Sequence, residues 1–243
     1  VDLAQKTKTT DDLSSYHESL VKNSIELNGE NVEEAEIAFN AGKYFDTIKK
    51  YQEAEKHYKI SFSIYEQQLG KSHSDTLKSA QLLSIVYYQL SNYPEAERLT
   101  KYLLEENGKI SDNDKKMQVL LQNMGFIYYY SNEYNKAEKY FKDSLQLSTS
   151  LFGEFDSRTI STTIKIADVY HWRDDYKLSI SYLNSFLSKY LTTENPDKGI
   201  IAKVNKKIAA SYYSLPGNAN DAIFHYNKAL EIYKSIYGYK HEQ

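Results

Sequence analysis

Residues 121–144 read LQNMGFIYYYSNEYNKAEKYFKDS, and this stretch decides the fold. Ala137 stands at its centre. Tyr134 lies three residues before it, Tyr128 nine and Gly125 twelve, and Phe141 follows four residues after. The same arrangement recurs along the chain. The central small residue returns as Ala54, Ala96, Ala137, Ser179 and Ala222, at steps of 42, 41, 42 and 43 residues. Tyr51, Tyr93, Tyr134 and Tyr176 precede it by three, and Ala219 breaks that series. Phe45, Tyr87, Tyr128 and Tyr170 precede it by nine, with Tyr212 displaced by one. Gly42, Ser84, Gly125 and Ala167 precede it by twelve, with Ala209 displaced likewise. Tyr58, Phe141, Leu183 and Tyr226 follow it by four. Agreement at several linked positions establishes an internal repeat, which governs every local reading.

The spacing predicts two amphipathic helices per unit, each of about 14 residues, joined by a tight turn just before the Tyr-x-x-Ala element. Ser91-Asn92, Ser131-Asn132 and Pro216-Gly217-Asn218 supply turn-forming residues at those points. A small residue where two helices cross lets them approach closely, and the aromatics fill the space around it. One such hairpin cannot bury its own apolar face, so the units must stack. Composition agrees. The 243 residues include 24 tyrosines but only 9 glycines and 3 prolines, too few for a turn-rich β protein. With no cysteine, the chain has no disulfide, thiolate metal site or cysteine nucleophile. A net charge of −3 lacks the basic excess expected of a nucleic-acid binder. No stretch approaches the roughly 20 apolar residues that span a bilayer.

The run Leu121, Met124-Gly125, Tyr128, Tyr134, Ala137, Phe141, Ser144 resembles the signature of the tetratricopeptide repeat. Ala38, Ala41-Gly42, Phe45, Tyr51, Ala54, Tyr58 and Ser61 match it at identical offsets. The basic repeat of that family has 34 residues. The longer period here is similar to the kinesin light chain type, with its Leu-Gly-x-x-His-x-x-Thr loop: Leu69-Gly70-Lys71-Ser72-His73-Ser74-Asp75-Thr76 fits it. Phe152 to Thr159 fits with Asp156 in the histidine's place, and Gly238-Tyr239-Lys240-His241 begins a third copy. The loops at Asn107-Gly108-Lys109 and Asn195-Pro196-Asp197 depart from the pattern. The resemblance implies an all-α, right-handed superhelical solenoid of antiparallel helix pairs. Residues 1–34 would hold a half-repeat or capping helix, since Tyr16, Ser19 and Leu27 lie 42 residues before Tyr58, Ser61 and Leu69. Five repeats would then occupy about 35–74, 75–114, 115–157, 158–200 and 201–243. Both ends fall inside a repeat, which suggests a segment of a longer array whose uncapped ends could self-associate.

In this family the first helices of successive repeats line a concave groove that takes a protein or peptide segment. By position the resemblance puts Phe39, Lys43, Gln81, Tyr88, Gln89, Gln122, Phe126, Tyr129 and Tyr130 in that groove. Asp168, His171, Trp172, Lys203, Lys206 and Tyr213 complete the set. Amides and aromatic faces suit an extended peptide, and tryptophan is the residue type most enriched at binding hot spots. Tyr129, Tyr130 and Trp172 have a second reading as packing between repeats. Lys203, Lys206 and Lys207 could take an acidic peptide or form a solvated face. The carboxylate clamp of chaperone-tail binders is missing, since Glu36, Phe39, Lys43, Lys78, Gln81 and Leu82 hold its positions. The recurring groove asparagine of kinesin light chains survives only as Asn123, with Leu82 and Lys165 elsewhere.

No catalytic constellation is present in the sequence. None of the six histidines forms a His-Glu-x-x-His pair, and neither a Gly-x-Ser-x-Gly elbow nor a phosphate loop occurs. Glu33-Glu34 and Glu105-Glu106 are adjacent in sequence, so they point to different sides of a helix. His171-Trp172-Arg173-Asp174-Asp175 reads as a hydrated charge cluster at an exposed turn, and His73 as a loop residue bonded to backbone. Ser72 and Ser74 read as N-caps. The expectation is therefore a non-catalytic, cytoplasmic binding scaffold without metal or cofactor. The alternative is a peptide-sensing or substrate-recruiting module whose output or catalytic domain lies outside this chain.

Overall fold

The computed structural model describes residues 3–28, 30–109 and 114–238, with side chains from residue 12 onward except 27 and 28. Tyr239, Lys240 and His241 of the last Gly-x-x-His loop, and the Leu27 side chain, lie outside the described residues. Eleven helices and no strand occur among the described residues. They are α1 (Leu3–Asn28), α2 (Val32–Thr47), α3 (Tyr51–Leu69), α4 (Ser74–Gln89), α5 (Tyr93–Asn107), α6 (Asp114–Tyr130), α7 (Tyr134–Phe152), α8 (Ser157–Trp172), α9 (Tyr176–Tyr190), α10 (Lys198–Ser214) and α11 (Ala219–Tyr237). The chain divides into two compact units, Val1–Leu120 and Leu121–Gln243, the division falling inside α6.

The second helix of each pair starts on the residue three before the repeated small residue, at Tyr51, Tyr93, Tyr134, Tyr176 and Ala219. Each turn into it places one residue in the left-handed region, always two positions earlier. These are Lys49, Ser91, Asn132 and Asp174 at φ 60, 58, 60 and 64°, and Gly217 at φ 83°. A left-handed residue costs roughly 1–2 kcal/mol unless it is glycine or, in part, asparagine. Lys49→Gly and Ser91→Gly are therefore expected to raise the melting temperature by a few degrees, corresponding to about 1 kcal/mol each. Asn132→Gly should change little. Thermal denaturation followed by circular dichroism tests the contrast, and equal shifts at all three sites would refute it.

The helices exceed the 14 residues that the period suggests. First helices have 16 or 17 residues, and second helices alternate between 19 (α3, α7, α11) and 15 (α5, α9). The long ones end on Gly70, Gly153 and Gly238 at φ 90, 92 and 70°. The short ones end on Gly108 and Leu191 in ordinary right-handed geometry. Loop chemistry thus sets where each second helix stops.

First helices begin under side-chain caps. Asn31, Asp156 and Asp197 accept from the backbone N–H of Glu33, Arg158 and Ile200 at 2.8, 2.9 and 2.9 Å. At α4 the cap is His73, whose Nδ1 accepts from Asp75 N–H at 3.3 Å. Contrary to the expected bond to loop backbone, the histidine caps the first turn of α4, and the expected serine caps do not form. Ser72 instead donates to Glu106 at 2.5 Å, tying the α3–α4 loop to α5. The turn after α8 also differs from a hydrated cluster. Arg173 is half-buried: Nη1 donates to Glu138 and Asn135 of α7 at 2.6 and 2.9 Å, and Nε to Asp175 at 2.6 Å. Its guanidinium lies 5.5 Å from the Tyr170 ring, so it clamps this turn to the preceding pair.

Within residues 1–120 the core contains Phe45 and Tyr58, both fully buried, around the α2–α3 crossing at Gly42. At the α4–α5 crossing, Ser84 and Thr100 hydroxyls bond at 2.7 Å. Within residues 121–243, Phe141 fills the space over Gly125. Ile160, Ile164, Ile180, Leu183, Val204 and Ile208 form one cluster shared by α8, α9 and α10.

Candidate functional site

Residues 121–243 bring the first helices α6, α8 and α10 together by polar bonds between their neighbouring faces. Gln122 of α6 donates to Thr162 of α8 at 3.2 Å. On the next turns of α6, Phe126, Tyr129 and Tyr130 stack into an aromatic corner, with Tyr129 and Tyr130 perpendicular at 5.0 Å. Phe126 lies 6.5 Å from Tyr130. Lys165 of α8 extends across this corner, its ammonium 5.5 Å from the Phe126 ring centre and 5.7 Å from that of Tyr129. Such contacts hold a cation by the negative face of the ring.

Asp168 lies one turn further along α8 and is 5% exposed. A carboxylate this buried needs cations, and it has two: Lys207 of α10 at 2.7 Å and Lys165 at 3.5 Å. The expected run of three basic residues on α10 is thus split. Lys207 is taken up by Asp168, whereas Lys203 and Lys206 are exposed and in no ion pair among the described residues. His171 is half-buried, with Nδ1 3.1 Å from the Ser211 hydroxyl of α10. Ser211 donates to Ser179 at 3.1 Å, and Ser179 to the Ala167 carbonyl at 3.0 Å. Burial pushes the His171 imidazole below its ordinary pKa, with Lys207 adding to the effect and Asp168 opposing it. The ring is therefore neutral at pH 7 and its orientation is set by the hydroxyl relay.

Trp172 is 57% exposed at the end of α8, edge-on to His171 at 5.5 Å. Tyr129 has its pKa raised by burial and, to a smaller extent, by the charge of Asp168. Tyr130 and Tyr213 are also exposed, at 46% and 77%.

The positions in residues 1–120 are less convergent. Lys43 is exposed, 5.9 Å from the Phe39 ring, and Gln89 is exposed at the end of α4. Gln81 is half-buried beside a cavity of about 100 Å³ with Leu77, Lys78 and Lys116. Tyr88 tilts against Tyr93 at 6.2 Å. Sequence reasoning gave no role to Lys165, Lys207 or Ser211 in fixing this face. The repeat period does place Lys165 in register with Asn123, but period alone does not tell which side chains bond across helices.

No group of three or more histidine and carboxylate residues among the described residues is arranged to hold a metal ion. Nor is any described helix long and apolar enough to cross a membrane.

No curated protein matches the chain. Among solved structures, the nearly identical TPR-like repeats of a kinesin light chain from Podospora anserina superpose with a TM-score of 0.72 at 12% identity. That match covers 82% of this chain and 95% of that one. BtubC (BKLC) from P. vanneervenii gives 0.69 at 15% identity over 100% and 95% of the two chains. YrrB, described as a TPR protein with an unusual peptide-binding site, gives 0.54 at 14% identity over 87% and 91%. At these identities the likeness is one of fold. The tetratricopeptide repeat family model matches residues 47–101 and 117–191, more than half of the sequence. With the repeat register, the helix pairs and this match in agreement, the chain belongs to the tetratricopeptide repeat family.

Proposed function

We propose that the protein is a non-catalytic scaffold that binds an extended peptide segment of a partner along the α6, α8 and α10 face of residues 121–243. The observation that carries this reading is the pair of exposed aromatics Tyr130 and Trp172 on α6 and α8, helices bonded through Gln122 and Thr162, with Lys165 held over the Phe126 and Tyr129 rings. Tyrosine and tryptophan have few rotatable bonds and therefore lose little entropy on binding. Asp168 is paired with Lys165 and Lys207, while Lys203 and Lys206 on the same helix as Lys207 are exposed, so the surface favours an acidic residue flanking the apolar anchor. YrrB, with its peptide-binding site, gives the fold a precedent for such binding. A cytoplasmic location belongs to this reading and is tested by cell fractionation.

A displayed random peptide library, selected in parallel on the parent chain and on Tyr130→Ala/Trp172→Ala, tests the proposal. The parent should enrich acidic peptides with an aromatic or aliphatic anchor, and the variant, with unchanged helicity, should lose at least tenfold in affinity for them. Identical enrichment on both would place the working surface elsewhere.

A further inference from the structure

A buried chain of hydroxyls fixes which nitrogen of His171 carries its proton. Ser179 and Ser211 are both buried, and each serine has a single hydrogen to give. Ser179 Oγ lies 3.0 Å from the Ala167 carbonyl oxygen, which can only accept, so the Ser179 hydrogen points there. Ser211 in turn gives its hydrogen to Ser179 Oγ at 3.1 Å. Reversing the chain would leave two buried oxygens 3.0 Å apart with no hydrogen between them, an electrostatic repulsion in a low-dielectric interior. With both serine hydrogens committed, Ser211 Oγ is an acceptor toward His171 Nδ1 at 3.1 Å, so Nδ1 carries the imidazole proton. A free histidine side chain prefers the other tautomer, with the proton on Nε2. The two serines invert that preference.

The consequence lies at the opposite edge of the ring, where Nε2 is left as a bare lone pair. It has no hydrogen-bond partner among the described residues and, unlike the nitrogens of His57, it is not buried. The rings of Trp172 and Tyr176 pack edge-on against the imidazole, 5.5 and 5.3 Å away. The exposed neighbours have the opposite polarity: Trp172, Lys203 and Lys206 have hydrogens to donate and no lone pair to offer. An extended segment presents N–H groups as well as carbonyls, and an N–H that loses its water without gaining an acceptor weakens binding.

We propose that His171 Nε2 accepts a hydrogen bond from a main-chain N–H of the segment bound at this face, with Ser211 and Ser179 as positioning residues that hold the ring in its accepting tautomer. This rests on the peptide-binding function proposed above and adds a selection rule to it. Proline, which has no N–H, is disfavoured at the one position of the segment that meets His171.

Nuclear magnetic resonance of the full chain labelled with nitrogen-15 histidine reads the tautomer with no ligand present, the His171 signals being those lost in His171→Phe. At pH 7.5 Nδ1 is expected to be the protonated nitrogen, and Ser211→Ala is expected to return the proton to Nε2. An Nε2–H ring in the parent overturns the proposal. The second arm uses the tightest peptide that the displayed library selects on the parent, with its backbone amides replaced by esters one at a time. One ester is expected to weaken binding by roughly fivefold, and that sensitivity should vanish in His171→Phe. Ester effects that are the same in parent and His171→Phe at every position overturn the proposal and leave peptide binding intact. A library that yields no peptide dependent on Tyr130 and Trp172 overturns the peptide-binding function itself, and this proposal with it, whichever tautomer is found.

Discussion

Replacing Gly125 by alanine is expected to lower the melting temperature by about 5–10 °C, a loss of roughly 2–3 kcal/mol. An added Cβ would stand 2.5 Å from Cδ1 and 2.6 Å from Cε1 of Phe141, a ring that is itself fully buried. Real Cβ atoms do not approach so closely, and a close-packed interior gives the ring nowhere to go. The chain contains its own control. Sixteen residues separate the crossing position from its partner in each repeat: Gly42 faces Tyr58, and Gly125 faces Phe141. Where the crossing residue is larger, the partner at that spacing is smaller, as in Ser84 with Thr100 and Ala167 with Leu183. In the fifth repeat Ala210 precedes Tyr226 by the same sixteen, and Tyr226 is left 40% exposed. The double variant Gly125→Ala/Phe141→Leu, which copies the Ala167–Leu183 pair, should recover at least half of the loss. A double-mutant cycle by thermal and urea denaturation measures the coupling, and strictly additive losses would show that the two residues do not share the crossing.

The same comparison shows what was legible in the sequence. The repeat register located the start of all five second helices, because a turn residue, a Tyr at the helix start in four of them and a small crossing residue are each fixed by local backbone requirements. Their spacing therefore survives without knowledge of neighbours. Helix ends were less legible. Gly70 and Gly153 mark the 19-residue helices, yet the 15-residue α5 and α9 stop without a left-handed glycine. At the candidate site, residue types were readable and pairings were not. Lys203, Lys206 and Lys207 look alike on a helical wheel, but only Lys207 reaches the carboxylate of Asp168. Arg173, in sequence part of a charged turn, reaches back 35 residues to Glu138. Such bonds depend on which side chains two packed helices bring within about 3 Å, and a period of 42 residues carries no information at that scale. His73 illustrates a nearer case: its bond is to Asp75 N–H, two residues away in the first turn of α4, where the sequence suggests serine as the cap.

A neutral-to-acid stability loss centred on one histidine is the second large effect expected. His57 on α3 is 1% exposed and stacks on Phe45 with ring centroids 5.2 Å apart and planes at 4°. Neither of its ring nitrogens has a hydrogen-bond partner among the described residues. Burial, reinforced by Lys56 and His17 and opposed by Glu53, pulls its pKa down to about 4 from an ordinary 6.5. The neutral ring is therefore the form that folds. The unfolded chain takes up a proton as pH falls through 6.5, whereas the folded protein resists until about pH 4. Stability is full above pH 6.5 and declines between 6.5 and 4, by about 2 kcal/mol at pH 5 and ~3 kcal/mol once complete. The equivalent positions carry Leu99, Tyr140, Tyr182 and His225. His225 differs in having its Nδ1 2.9 Å from the Asn205 amide oxygen. His57→Leu, borrowed from the second repeat, removes two unpaired buried polar atoms along with the titration. It is expected to be neutral or mildly stabilising at pH 7.5 and about 2 kcal/mol more stable than the parent at pH 5. Urea denaturation of both proteins at the two pH values decides the matter, and parallel pH dependence in parent and variant would assign the acid loss to other groups.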